Sequence, residues 1–475
     1  MKKISALLMA SVVMASGAQA HNNDASGELA ALKQQVEAQS KKIDELTMRV
    51  CPAANGGAQV VNTFGDGYVA IPGANTGISF IINPRLDASY DAGPNAGDVL
   101  GARLIPLKDY DKEAHKSGHF QIDPRQTIFG FKTKTTTSRG DVGSHLELDF
   151  FNDGNSSFSP RLRHAYLTFA GFTVGQTTTA FQDWDAAGRS VDAVGTLGGN
   201  TRQALIRYDA KLHENVGGFV SAERPFGDFT YSTGAPVAPG ATDSKLQQLT
   251  PSGNSNHSSS GYSVSQIPDF VVGVKFANQV GHFGLRGLVR EINFKKNDIA
   301  VANHRTGKKT TTAFGASARV FVMGSHSIFG QVNAGQGIGR YLPDSAGQAA
   351  FVNLDSTNAE YGQLKTVSSR HWLAGFQLSW SDSVKTNVAY SQLSFTVPKG
   401  VPDLSVLTKD EASVSGTNYN YTRFNKRIDR LFINTIYSPV KSVEIGLEYG
   451  YSKRETADKR TGKAHRIAFM TSYKF

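Results

Sequence analysis

Cysteine is almost absent. Cys51 is the only one in 475 residues, so no intrachain disulfide can form. Past the first 20 residues no run of about 18 apolar residues occurs, which excludes helical membrane spans. Enzymatic signatures are missing too. His115 and His119 have a metal-like spacing, but Lys116-Ser117-Gly118 between them reads as a solvated turn. Gly307-Lys308-Lys309-Thr310 lacks the earlier glycine of a phosphate-binding loop and precedes a strand pattern. Glu147 and Asp149 share one strand face and read as wall residues rather than an acid–base pair. The sequence therefore assigns no catalytic residue, cofactor or metal. Its basic residues are spread out with no recognition module, which argues against nucleic acid as a partner.

What is present begins with a secretion pattern. Lys2 and Lys3 precede an apolar core from Leu7 to Ala15, and Ala18-Gln19-Ala20 has the small-residue cleavage form. Residues 1–20 are expected to be removed. Over 21–51 one helix is expected, because Leu29, Leu32, Val36, Gln39, Ile43, Leu46 and Val50 fill heptad positions a and d. That spacing predicts a short coiled coil. Pro52 ends it, and 52–76, rich in Gly, Ala and Asn, reads as a linker.

From residue 77 to 475 the period changes to two. The final stretch is a clear case: His465, Ile467, Phe469, Thr471, Tyr473 and Phe475 fall on one face, and Arg466, Ala468, Met470, Ser472 and Lys474 on the other. Sixteen such runs can be marked, joined alternately by short turns and long polar loops. Short links on one side and long ones on the other are expected of an antiparallel meander that crosses a membrane. The fold class is therefore all-β, a transmembrane barrel of about sixteen strands.

The two faces differ in chemistry. Ile78, Phe80 and Ile82 alternate with Arg85 and Asp87 further along the first strand; Phe129 and Phe131 alternate with Lys132 and Lys134; Val443, Ile445 and Leu447 alternate with Glu444 and Glu448. A charge facing hydrocarbon at mid-depth costs ~2–4 kcal/mol, so the charged face must point inward and be wet. Arg85, Lys132, Lys134, Arg161, Arg163, Arg207, Arg286, Arg290, Arg319, Arg430 and Arg466 are the expected inward cations. About half are expected to pair with acids on adjacent strands, leaving a positive lumen that favours anions.

The stretches IPGANTGISFIINPRLDASYD (71–91), QTIFGFKTKTTT (126–137), HLELDFF (145–151) and RLRHAYLTFAGFTVGQTTTAFQD (161–183) resemble the DcaP-like trimeric outer-membrane porins. The helix before the barrel and the terminal Phe475 fit that resemblance. The chain departs from it at Ile82-Asn83-Pro84, where Gly-Gly-Tyr is usual, and after Gln176-Thr177, where Thr178 replaces Trp. The resemblance implies a homotrimer in outer-membrane lipid, a periplasmic position for residues 21–51, and passive passage of small anions such as dicarboxylates. The segment from Phe181 to Asn200 matches in position the inward-folded third loop of sixteen-stranded porins. Asp183, Asp185, Arg189 and Asp192 are its expected constriction residues. The competing expectation is an envelope-tethering or adhesive barrel.

Overall fold

The computed structural model describes residues 67–94, 96–97, 101–107, 118–151, 158–192, 199, 201–232, 266–296, 305–345, 347–353, 362–399, 424–457 and 459–475. The chain divides between Thr63 and Phe64, and everything described lies in the second unit, Phe64–Phe475. The expected secretion signal, heptad helix, Cys51 and His115 lie outside the described residues.

The sequence alternates because each strand faces two solvents, and the strands follow the alternation closely. They are β1 (Thr76–Asn83, continuing as Arg85–Asp91), β2 (His119–Asp123, continuing as Ile128–Thr137), β3 (Gly140–Asp149), β4 (Arg161–Phe169), β5 (Phe172–Thr178), β6 (Arg202–His213), β7 (Val216–Glu223) and β8 (Asp269–Asn278). The second half comprises β9 (Gly281–Lys296), β10 (Arg305–Val322), β11 (His326–Gln336), β12 (Ser368–Ser379), β13 (Val384–Phe395), β14 (Asn425–Val440), β15 (Val443–Thr456) and β16 (Thr461–Tyr473). Pro84 interrupts β1 because it has no N–H to give. Its carbonyl still accepts from Tyr473 N at 3.0 Å.

Each strand pairs antiparallel with the next, and β16 pairs back onto β1, with Arg466 opposite Asp91 and Ser472 opposite Arg85. The large sheet, 19-stranded when the two interrupted strands are counted in pieces, is therefore a closed ring. Taking those two strands whole and setting aside the two-residue Val69–Ala70 leaves sixteen strands around the ring among the described residues. Val69–Ala70 pairs with Ile78 and Gly77. This corrects the linker expected over 52–76, whose last residues already join the sheet. Closure removes the unpaired edges that an open sheet would present.

At one end the connections are short: 138–139, 170–171, 214–215, 279–280, 323–325, 380–383 and 441–442. Ala170 and Gly171 both have positive φ, 48° and 86°, the tight hairpin that matches strand twist. The long connections, including 92–118, 179–201, 224–268, 337–367 and 396–424, all lie at the opposite end. Parts of them fold back over the ring. Phe229–Ser232 pairs parallel with Ala350–Asn353, which pairs antiparallel with Leu364–Thr366. Ile105, Phe181, Ile338, Tyr341 and Leu342 from these connections pack with Val271, Leu288, Leu393 and Ile428 into a buried cluster.

Phe80, Phe129, Val272, Leu285, Phe314, Trp372, Leu447 and Phe469 are exposed on the outer face. Glu147, Gln331, Asn387, Asn434, Glu448 and Arg466, on the other parity, are buried inside the ring. A soluble sheet would reverse this distribution. Here the outer face is apolar and the interior is polar, as lipid outside and water inside demand.

Candidate functional site

Residues 179–192, which follow β5, run inside the ring, and side chains from much of its wall hold them there. At the start, Thr179 Oγ1 donates to Glu223 Oε2 at 2.6 Å and Ala180 N to Glu223 Oε1 at 2.8 Å. Phe181 then enters the buried cluster, edge-on to Tyr341. Asp183 accepts from Ser317 Oγ of β10 at 2.6 Å and from His282 Nε2 of β9 at 3.1 Å, with the Arg286 guanidinium 3.4 Å away. Gln331 donates to the Asp183 carbonyl and Arg319 to that of Asp185. Lys275 reaches the Asp185 carboxylate at 2.8 Å.

The segment then meets the opposite arc. Gly188 has φ +71° and lies against Phe329, so close that an added Cβ would sit 2.5 Å from the ring. Arg189 pairs with Glu444 of β15, and Asn434 donates to the Arg189 carbonyl at 2.8 Å. Glu448 accepts from Ser190 Oγ at 2.8 Å, Val191 N at 2.7 Å and Asn434 at 2.8 Å. Arg85 of β1 donates to the Val191 carbonyl at 2.7 Å, and Arg466 of β16 pairs with Asp192 at 3.2 Å. A loop held from β7 through β11 and again from β14 to β1 divides the lumen.

Beside the segment a space of about 440 Å³ remains, bounded by Asp183, Trp184 and Asp185 on one side and by Tyr166, Thr168, Thr177, Arg207, Asp209 and Lys275 on the wall. Hydroxyl and charged groups of this kind replace part of a solute's hydration shell.

The expected inward cations are on the inner face, but their pairing exceeds the half anticipated. Nine of the eleven have a carboxylate in ion-pair range: Arg85 with Asp87, Lys134 with Asp141, Arg161 with Asp149, Arg163 with Glu147, Arg207 with Asp209, Arg286 with Asp183, Arg290 with Asp228, Arg430 with Asp344, and Arg466 with Asp91. The loops account for the difference, since Asp183, Asp228 and Asp344 come from connections and not from strands. Among the described residues Lys132 and Arg319 have no such carboxylate. Arg290, with a side chain 0% exposed, lies under the folded-back loops, and Arg466, 1% exposed, is enclosed by Asp91, Asp192 and the Gly97 carbonyl, so neither faces water as expected of path-lining cations. Asp183, Asp185, Arg189 and Asp192 all belong to the inner segment.

Sequence reasoning missed Arg202. It stands at the first position of β6, over the Trp184 ring at 5.9 Å, with no carboxylate in ion-pair range among the described residues and its Nε buried without a partner. By the alternation of β6, Arg202 shares parity with Ile206 and Tyr208, which are exposed on the outer face, so a period-two reading gave no reason to place its guanidinium beside the inner segment. Glu223 and Glu448 were also missed as anchors of the segment, because their partners lie far away in the chain.

Burial works to raise the Asp183 pKa, but hydrogen bonds from His282 and Ser317 and the charge of Arg286 outweigh it and hold the carboxyl below the usual range. A depressed folded-state pKa means that the anchor contributes above the ordinary carboxylate range and is lost only as the pH falls through the depressed value. Single-channel current is therefore expected to keep the same open level from pH 7 to about pH 4, where an ordinary aspartate is half protonated. A level that shifts between pH 5 and pH 4 in the parent, but not in Asp183→Asn, would contradict this.

The chain matches the family model of the DcaP outer membrane protein over residues 14–223 and 399–475, more than half its length. Among solved structures it is similar to the outer membrane channel DcaP of Acinetobacter baumannii, at 22% identity and TM-score 0.63, covering 84% of this chain and 98% of that one. Lower similarity extends to OmpT of Vibrio cholerae (10% identity, TM-score 0.48, covering 86% and 100%). It extends also to OprB of Pseudomonas putida (9%, 0.49, covering 84% and 94%). No curated protein sequence matches.

Proposed function

This chain belongs to the DcaP outer membrane protein family, and from that premise we propose that it is a passive channel of the bacterial outer membrane for small hydrophilic solutes, preferring anions of dicarboxylate type and working as a homotrimer. The channel reading is supported by the polar interior and by the space that the inner segment leaves open. The carboxylates bordering that space, Asp183, Asp185 and Asp209, each have a cation beside them.

One observation carries the anion preference. Lys132 and Arg319 face inward and Arg202 lies over Trp184 of the inner segment, each with no carboxylate in ion-pair range among the described residues, while Glu223 and Glu448, inward acids with no cation in ion-pair range, are buried and saturated with hydrogen bonds. Unmatched charge next to water is therefore positive. A fixed cation at a constriction attracts anions directly and raises their local concentration. The polar wall itself passes solutes by diffusion and needs no chemical step.

The test is the reversal potential of the full-length protein in a planar bilayer under a salt gradient, with chloride and then a dicarboxylate as the anion. Anion selectivity is expected. Arg202→Gln is expected to move the reversal potential toward the cation side and to lower the anion-to-cation ratio by roughly two- to fivefold, the size of a fraction of a kcal/mol to about 1 kcal/mol at a wetted charge. Cation selectivity in the parent would overturn the preference. Absence of any conductance in several lipids would overturn the channel.

A further inference from the structure

Two lysines face each other on the outside of the barrel. Lys453 of β15 and Lys463 of β16 are register partners. Both lie on the outward parity, with Tyr451 and His465 paired one row nearer the membrane and Tyr449 and Ile467 below those. Like charges directly opposite on a ladder destabilise it. Neither lysine has an ion pair among the described residues. Asp429 is the register partner of Lys453 on the other side, but its oxygens are taken by Tyr390 at 2.6 Å, Gln392 at 3.1 Å and Arg427 at 3.0 Å.

Height locates the pair. Ten residue steps separate Tyr473, at the short-turn end, from Lys463. At a rise of ~3.4 Å and a tilt of about 40°, that is roughly 26 Å along the membrane normal, against an apolar band about 25 Å tall. Tyr451 and His465 then sit where an interfacial girdle belongs, their rings 5.0 Å apart. The two lysines stand just beyond it, at headgroup depth on the long-loop side. Their repulsion is relieved there if an anion lies between them, and the membrane supplies one.

We infer that Lys453 and Lys463 form a docking site for a phosphate of the phosphorylated glycolipid in the outer leaflet, with the acyl chains lying along Tyr449, Ile467 and Phe469. Juxtamembrane cations recognise lipid phosphate in this way. The site lies outside the channel, so it stands apart from the solute reading.

The experiment uses the full-length protein in detergent, stripped of lipid, with phosphorylated lipid A as the probe and its dephosphorylated form as the comparison. Binding is measured by native mass spectrometry. The parent is expected to bind the phosphorylated form at least tenfold more tightly than the dephosphorylated one, and the double variant Lys453→Gln, Lys463→Gln to lose that difference. Unchanged single-channel conductance shows that the variant is folded. Equal binding of both lipids by the parent, or equal binding of phosphorylated lipid by parent and variant, overturns the site. Protection of both lysines from acetylation in the lipid-free oligomer also overturns it, in favour of contact between subunits.

Discussion

Replacing Arg466 with methionine is expected to cost roughly 3–5 kcal/mol, the range for breaking a buried pair by removing one partner. Its side chain is 1% exposed. It donates to Asp91 at 2.7 and 2.8 Å, to Asp192 at 3.2 Å and to the Gly97 carbonyl at 2.5 Å. Arg466 and Asp91 are also register partners across β16 and β1, where the ring closes. The one guanidinium therefore holds the seam, the first long connection and the far end of the inner segment. Without it two carboxylates remain inside the wall and lose their shared cation. The folded band on a semi-native gel is expected to disappear at a lower temperature, and the single-channel trace to become noisier as the segment beyond Val191 loosens. Lys474→Gln is the control. Its ion pair with Glu444 is half exposed at the lysine, and such pairs contribute about 0–1 kcal/mol. An Arg466→Met protein matching the parent in both measurements would show that the seam and segment are held otherwise.

The closing strand also shows what could be read in advance. Ile467, Phe469 and Tyr473 are exposed outward, while Ala464, Arg466, Ala468 and Ser472 are buried inward, as their alternation required. Period two is strongly written here because lipid and water make opposite demands on successive residues. The side to which short and long links belong was legible for the same reason, since only a chain crossing back and forth segregates them. Side-chain partners were not legible. Whether Arg286 faces water or Asp183 depends on where residues 179–192 lie, and that is set by Glu223, Ser317, Glu444 and Glu448, each far away in sequence. A strand pattern constrains the wall it belongs to. It carries no information on a loop that folds against the inside of that wall. Hence acids on the strands alone implied a lumen with many bare cations, whereas the loops supply carboxylates for several of them.

Arg290 shows the same limit at larger scale and supports a second prediction. The alternation of β9 placed it inward, and it was expected to line the path. Instead it is fully enclosed: its guanidinium lies 3.3 Å from both Asp228 and Asp269, and it donates to the carbonyls of Phe226 at 2.8 Å and of Gly337 and Ile338 at 3.1 Å. Asp228 in turn accepts from Arg340 N and Gly347 N, both at 2.6 Å. Tyr341, stacked under the guanidinium at 5.4 Å, donates to Asp269 at 2.9 Å. Burial, with the charges of Asp269 and Glu223, pushes that phenol well above its ordinary pKa, so it stays a donor. Arg290 thus binds the connection after β7 to the connection after β11 at the mouth of the barrel. Arg290→Met keeps the volume and removes the charge, leaving Asp228 and Asp269 buried together. The expected loss is again about 3–5 kcal/mol, but confined to the cover, because the strand ladders around it are untouched. When opening is fast relative to cleavage, that loss makes cleavage of the loops roughly 100- to 4,000-fold faster. Limited proteolysis of the intact protein in detergent measures it, with the barrel core remaining resistant. Cleavage within a factor of two of the parent would mean that the apolar packing of Phe229, Phe294, Val352 and Leu364 holds the cover closed without the arginine.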